Sequence, residues 1–161
     1  MSNTLSKVYL VRHGETAWTI SGQHTGHTDI PLTAHGERDA QALSAQLQGL
    51  SFANVLTSPL QRARRTAEMA GFGESTQADP DLMEWDYGTY EGRRTAEILA
   101  ERPGWRLLKD GCPDGETADI VNVRADRVIG RMRALPDDVL LFAQRDILCV
   151  LAARWLGLSA A

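Results

Sequence analysis

The sequence predicts an α/β fold, a three-layer α/β/α sandwich around a mostly parallel sheet. Three observations carry this. Short β-favouring runs alternate with stretches of helical periodicity along the 161 residues. The run Val139–Ala143, VLLFA, is apolar without a break, as a strand covered on both faces should be. Apolar runs also end abruptly in polar residues, and a parallel sheet presents its ligand-binding groups beyond the carboxyl ends of its strands.

Taken in order, the first strand spans about 7–12 and ends in Arg-His-Gly, residues unsuited to extending a buried strand. A long loop rich in Gly, Thr and His follows to about Leu32. Thr33 caps a helix to about Gln48, with Ala40, Leu43, Leu47 and Leu50 at helical spacing. Asn54–Ser58 reads as the second strand, and Pro59 opens a helix through PLQRARRTAEMAG. A weak strand lies near 75–78. The stretch 79–114 is irregular apart from a short helix near 95–101. Residues 117–135 form an amphipathic helix with Ile120, Val123, Val128 and Met132 as its apolar stripe. After VLLFA, the mostly apolar ILCVLAARWLGL forms the last helix. No repeat or linker divides the chain, so one domain over 1–161 is expected.

Bulk properties narrow the function classes. Apolar residues make up 43% and charged residues 24%, ordinary for a globular protein, and a net charge of −4 disfavours a general nucleic-acid surface. No run approaches a membrane span, and MSNTLSK lacks a secretory apolar core. Cys112 and Cys149 form neither a disulfide framework nor a zinc pattern, so a reducing cytoplasm is the default, and Cys149 reads as a small hydrophobe on an apolar helix face. The four histidines at 13, 24, 27 and 35 have no metal-ligand spacing, and neither a metal nor a cofactor is expected.

Three strand ends carry polar residues: Arg12-His13, Ser58 with Arg62 just beyond, and Gln144-Arg145-Asp146. Guanidinium forks beside an imidazole suit a phosphoryl group, because the forks bind phosphate oxygens bidentately and stay charged. A neutral imidazole can attack phosphorus, and a partly buried carboxylic acid of raised pKa can protonate the leaving oxygen. Glu84, among the apolar and aromatic residues of LMEWDYGTYEG, suits the second task.

The motifs LVRHGET, LTSPLQRARRTAE and LMEWDYGTYEG, in that order, resemble the histidine phosphatase superfamily with its phosphoglycerate mutase-like fold. WDYGTYEG followed by Trp105 and KDGCPDGET is similar to the branch that includes sedoheptulose-1,7-bisphosphatase. The resemblance implies His13 as nucleophile, Glu84 as proton donor, and Arg12 and Arg62 as phosphate clamps. It places Gln23, Thr25 and Gly26 near the incoming substrate, with Tyr87 and Arg93 or Arg94 toward the remote end of a phosphosugar. One departure stands out. The family carries a second histidine after its fourth strand, usually as AHGH, where this chain reads AQRDILC with Gln144 in its place. Glutamine donates a hydrogen bond but no charge, and losing one preorganised electrostatic contact costs about 10²–10³ in rate. Gln144 is either a ligand contact or a plain strand terminus. The chain also ends at WLGLSAA, where such proteins usually continue through another strand-forming segment, so the domain reads as curtailed.

The bland alternatives are a polar strand end for His13, a solvated helix residue for Arg62, a loop carboxylate for Glu84 and packing for Tyr87. Motif context favours the chemical reading for His13, Arg62 and Glu84, and the two readings of Tyr87 are evenly balanced. The expected function is a phosphomonoesterase acting on a small phosphorylated metabolite, a sugar phosphate or bisphosphate, through phosphohistidine. The alternatives are an impaired member that binds phosphorylated ligands, a phosphoglycerate mutase, and last a protein phosphohistidine phosphatase. Self-association into a homodimer stays open.

Overall fold

A computed structural model describes residues 6–159, so MSNTL and the last two residues of WLGLSAA lie outside the described residues. Four parallel strands, β1 (Val8–Arg12), β2 (Asn54–Thr57), β3 (Thr76–Ala78) and β4 (Val139–Ala143), form a sheet in the order β1-β4-β2-β3. The apolar β4 is a central strand, and all five of its residues are buried. Alternation along it feeds two cores. Val139, Leu141 and Ala143 join the core under α6 (Ala118–Arg133) and α7 (Arg145–Trp155). Leu140 and Phe142 face the other core, with Val55, Ala67, Leu43 and Phe72, beneath α2 (Ala34–Leu47) and α3 (Gln61–Met69). This is the expected three-layer sandwich.

Several details depart from the sequence reading. The loop after β1 holds a short helix, α1 (Ala17–Ser21). Thr16 caps it reciprocally with Thr19, and Gly22 closes it in the left-handed region at φ 76°. Helix α3 starts two residues past Pro59, after Leu60 as its cap. The irregular segment contains α4 (Thr95–Glu101) and a further one-turn helix, α5 (Leu107–Asp110). On α6 the buried face is Val121, Ala125, Val128, Ile129 and Met132, while Ile120 and Val123 are 49% and 55% exposed. The helix has apolar residues on more than one side, and the stripe from Val121 wins because it meets α7. Helix α7 begins at Arg145, earlier than expected, and Cys149 is exposed. Among the described residues no helix is long and apolar enough to cross a membrane.

Candidate active site

The ends of β1, β2 and β4 are held level by backbone bonds. The His13 N–H donates to Ala143 O at 3.0 Å and the Ser58 N–H to Phe142 O at 2.9 Å. Three chain segments distant in sequence therefore deliver their next residues to one corner. A cavity of about 210 Å³ opens there, and Arg12, His13, Gln23, Thr25, Glu84 and Tyr87 all line it, with Arg145 and Asp146.

His13 is buried, and its Nδ1 lies 2.7 Å from Gly14 O. A carbonyl only accepts, so Nδ1 carries the hydrogen and Nε2 keeps the lone pair in the neutral ring. Burial, opposed by that backbone bond and assisted by the charges of Arg62 and Arg12, lowers the imidazole pKa to about 4. The ring is neutral at pH 7, as a nitrogen nucleophile must be.

Glu84 has the opposite balance. It is 4% exposed, its Oε1 accepts from the N–H groups of Trp85 (3.0 Å) and Ile147 (2.9 Å), and its Oε2 accepts from Asp146 N–H (3.1 Å). Burial, reinforced by the nearby Asp146 carboxylate, raises its pKa to about 7 despite those amides. Oε2, with a single donor, is the oxygen with room for a proton. Tyr87 donates its hydroxyl to the Asp146 carboxylate, and burial pushes the phenol well above its ordinary pKa.

Arg62 is fully buried and stands one layer back. Its Nη1 donates to Thr28 O at 3.0 Å, and its Nη2 to Gly26 O at 2.7 Å and Thr25 O at 3.2 Å. Its fork thus braces the loop over the cavity, leaving the buried Nε without a partner. Gly26 is required there, since a Cβ would sit 2.4 Å from Trp85 O. The loop is also tied to Glu91, whose Oε1 accepts from Gly26 N–H at 2.8 Å. Gln23 spends its amide on Gly92 O at 2.7 Å.

Besides Arg62 and Gly26, three more sequence-chosen residues are not on this wall. Arg93 pairs with Glu101 through both Nη atoms and lies over Tyr90, and Arg94 donates to Ser21 O. Neither lines the cavity. Gln144 is fully buried, donates to Ser58 Oγ at 3.0 Å, and has an unpartnered Oε1. It faces the strand ends and not the cavity.

Sequence reasoning set Arg145 at a strand end but gave His24 no place in the site and missed the cavity that adjoins. A larger space of about 630 Å³ shares His24, Thr95, Arg145 and Asp146 with the first and is also lined by Trp105, Leu107, Arg106 and Lys109. His24 packs against Tyr87 at 4.7 Å and Trp105 at 5.8 Å between ring centres, and burial lowers its pKa. No motif spacing marks these residues; only the folded irregular segment brings them together. Among the described residues, no group of three or more His, Cys, Asp or Glu side chains could hold a metal.

The profile of the histidine phosphatase superfamily (branch 1) matches residues 8–161. The chain belongs to that superfamily. It is 36% identical over 192 residues to the sedoheptulose 1,7-bisphosphatase of Saccharomyces cerevisiae, covering 99% of this chain and 70% of that protein. It is 38% identical over 160 residues to an acid phosphatase of Mycobacterium tuberculosis, covering 96% and 78%. The solved α-ribazole phosphatase of Shigella flexneri superposes with a TM-score of 0.84 at 31% identity, covering 95% of this chain and 81% of that one. These superfamily relatives are phosphatases, and phosphatase chemistry in general is the activity they share.

Proposed function

We propose that this superfamily member is a phosphomonoesterase that hydrolyses a small phosphorylated metabolite in two steps at His13. In the first, the Nε2 lone pair attacks phosphorus and the bond from phosphorus to the ester oxygen breaks. The proton on Glu84 Oε2 moves to that oxygen, so a neutral alcohol leaves. In the second, the Glu84 carboxylate takes a proton from water as the water oxygen attacks the phosphohistidine. The N–P bond breaks, inorganic phosphate departs, and His13 regains its lone pair. Arg12 at the mouth neutralises the phosphoryl oxygens, and Arg62 contributes its charge from behind the loop.

One observation carries the reading. A histidine held neutral and a carboxyl held protonated near pH 7 line the same small cavity. The adjoining cavity supports a small leaving group with a second anion, such as a sugar bisphosphate, because Arg106 and Lys109 line it without a salt bridge among the described residues. Tyr87, Thr25 and Gln23 fit the same substrate's near end. Incubation with a ³²P-labelled phosphomonoester, quenched under alkaline denaturing conditions, should leave label on wild-type protein and none on His13→Asn. Unlabelled wild-type protein would refute the reading. Release of inorganic phosphate separates hydrolysis from a phosphoglycerate mutase, which would return the phosphoryl group to a second hydroxyl.

A second reading, an impaired member that binds phosphorylated ligands, rests on Gln144 being turned toward Ser58. A Gln144→His, Arg145→Gly double change that raised turnover by orders of magnitude would favour it. High turnover in the parent, unchanged by the pair, would exclude it.

A further inference from the structure

Arg124, midway along α6, lines neither cavity, yet it is bonded throughout to the segment that carries Glu84. Its side chain is 11% exposed and forks onto Glu116, with Nε to Oε1 and Nη2 to Oε2, both at 2.7 Å. Its remaining hydrogens go to backbone: Nη1 donates to Asp81 O at 2.7 Å and Met83 O at 2.9 Å, and Nη2 approaches Glu84 O at 3.4 Å. Glu116 completes the grip. Its Oε2 accepts from Asp86 N–H at 2.9 Å, its own N–H donates to Asp86 O at 2.9 Å, and its carbonyl accepts from Trp85 Nε1–H at 3.0 Å.

A largely buried ion pair is a poor investment in stability alone, since desolvation offsets much of the attraction. What this pair supplies is direction. It binds residues 81, 83, 84, 85 and 86 at once, through groups other than the Glu84 carboxyl.

We infer that Arg124 and Glu116 form a positioning clamp that seats the Glu84 carboxyl on the first amides of α7 and so governs proton delivery to the leaving oxygen. The inference rests on Glu84 being the proton donor. The clamp acts by geometry and not by charge, because Arg124 reaches the carbonyl of Glu84 and leaves the carboxyl alone. The charged and titratable groups facing that carboxyl come from elsewhere. They are Asp146 from α7, Arg62 from α3, His13 after β1, and Tyr87 from its own segment; His27 touches only the Glu84 carbonyl, at 3.2 Å.

The test uses two esters. An alkyl phosphate needs a proton on its leaving oxygen, whereas p-nitrophenyl phosphate expels a stable phenolate. Arg124→Met should lower kcat/KM, which ends at the phosphoenzyme and so excludes the shared water step, by about 10- to 100-fold for the alkyl ester and by less than about 3-fold for the nitrophenyl ester. The alkaline limb of the alkyl profile should move to lower pH as water reaches the loosened carboxyl. Arg124→Lys should recover part of the loss, and Arg124→Met should cost nothing further on top of Glu84→Gln. Equal losses on both esters, or a further loss in the Glu84→Gln background, would overturn the clamp. Should Arg124→Met fail to fold, Glu116→Gln keeps the side-chain shape and reads the same ratio. Carboxyl ¹³C titration of Glu84 separates this inference from the catalytic reading. A midpoint that falls in Arg124→Met or Glu116→Gln supports the clamp whatever the turnover, and an unmoved midpoint rejects it.

Discussion

Cations on the outer face of α6 and cations around the cavity are handled in opposite ways. Outside, Arg127 and Arg131 meet Asp81 and Asp79, and Arg154 meets Asp126, so each charge is cancelled where it sits. At the cavity Arg12, Arg106 and Lys109 line the walls without a salt bridge among the described residues, and Arg62 is bonded only to carbonyls. In a protein of net charge −4, that corner gathers three cations without a carboxylate partner among the described residues. On the proposed reading that corner would attract a phosphorylated anion despite the sign of the whole, because local field and not net charge steers a ligand. The outer pairs, in water and screened, contribute little individually.

The largest expected effect breaks the inner side of this contrast. His13→Asn keeps a side-chain donor but removes the attacking nitrogen, and kcat on any phosphomonoester should fall at least about 10³-fold with circular dichroism unchanged. Next comes Glu84→Gln, which should cost about 10²–10⁴ on an alkyl ester. The parent's pH profile follows from the same two groups. Activity needs His13 neutral and Glu84 protonated, so kcat/KM should decline below about 4 and again above about 7. Glu84→Gln should lose the upper limb, since the amide does not titrate there. A parent profile flat through pH 7–9 would remove Glu84 from the reaction.

How far the cavity lining was visible beforehand depends on whether a local signal marks it. The placement of His13, Arg12 and Glu84 was legible because a β run stopping at Arg-His-Gly and a carboxylate among aromatics are local signals. The central position of β4 was legible in VLLFA for the same reason. Arg93 and Arg94 do not line the cavity, and nothing local distinguishes an arginine free to line it from one held elsewhere, as Arg93 is by Glu101 and Arg94 by Ser21 O. Gln144 looked like a cavity residue because it follows β4, yet its amide turns to Ser58, a partner 86 residues away. Arg124 and Glu116 were passed over entirely. Their value lies in backbone groups of residues 81–86, which no side-chain pattern encodes.

A smaller effect tests whether exposed cations at the mouth matter. Arg12 is exposed, so Arg12→Ala should lower kcat/KM by about tenfold, the low end for a charge-assisted hydrogen bond. The deficit should shrink as ionic strength rises, because salt screens the parent's attraction first. A deficit independent of salt would mean that Arg12 contributes shape and not field.

The smallest effect belongs to the outer belt. Arg131 bridges Asp79 and Asp81, and its loss in Arg131→Ala should cost under about 1 kcal/mol at pH 7 in urea unfolding. The Asp81 pKa is lowered from 3.8 to about 2, by the hydrogen bond from Arg127 first and with help from Arg131. A depressed carboxylate adds stability that is fully present above its ordinary pKa of 3.8 and disappears as pH falls through about 2. The difference between parent and Arg131→Ala should therefore be largest near neutrality and close to zero by about pH 2. Turnover should stay within about twofold of the parent, since Arg131 reaches the acid segment only at its outer end. If turnover fell as far as in Arg124→Met, the outer pairs would be holding Glu84 as well, and the division between the two sets of arginines would be lost.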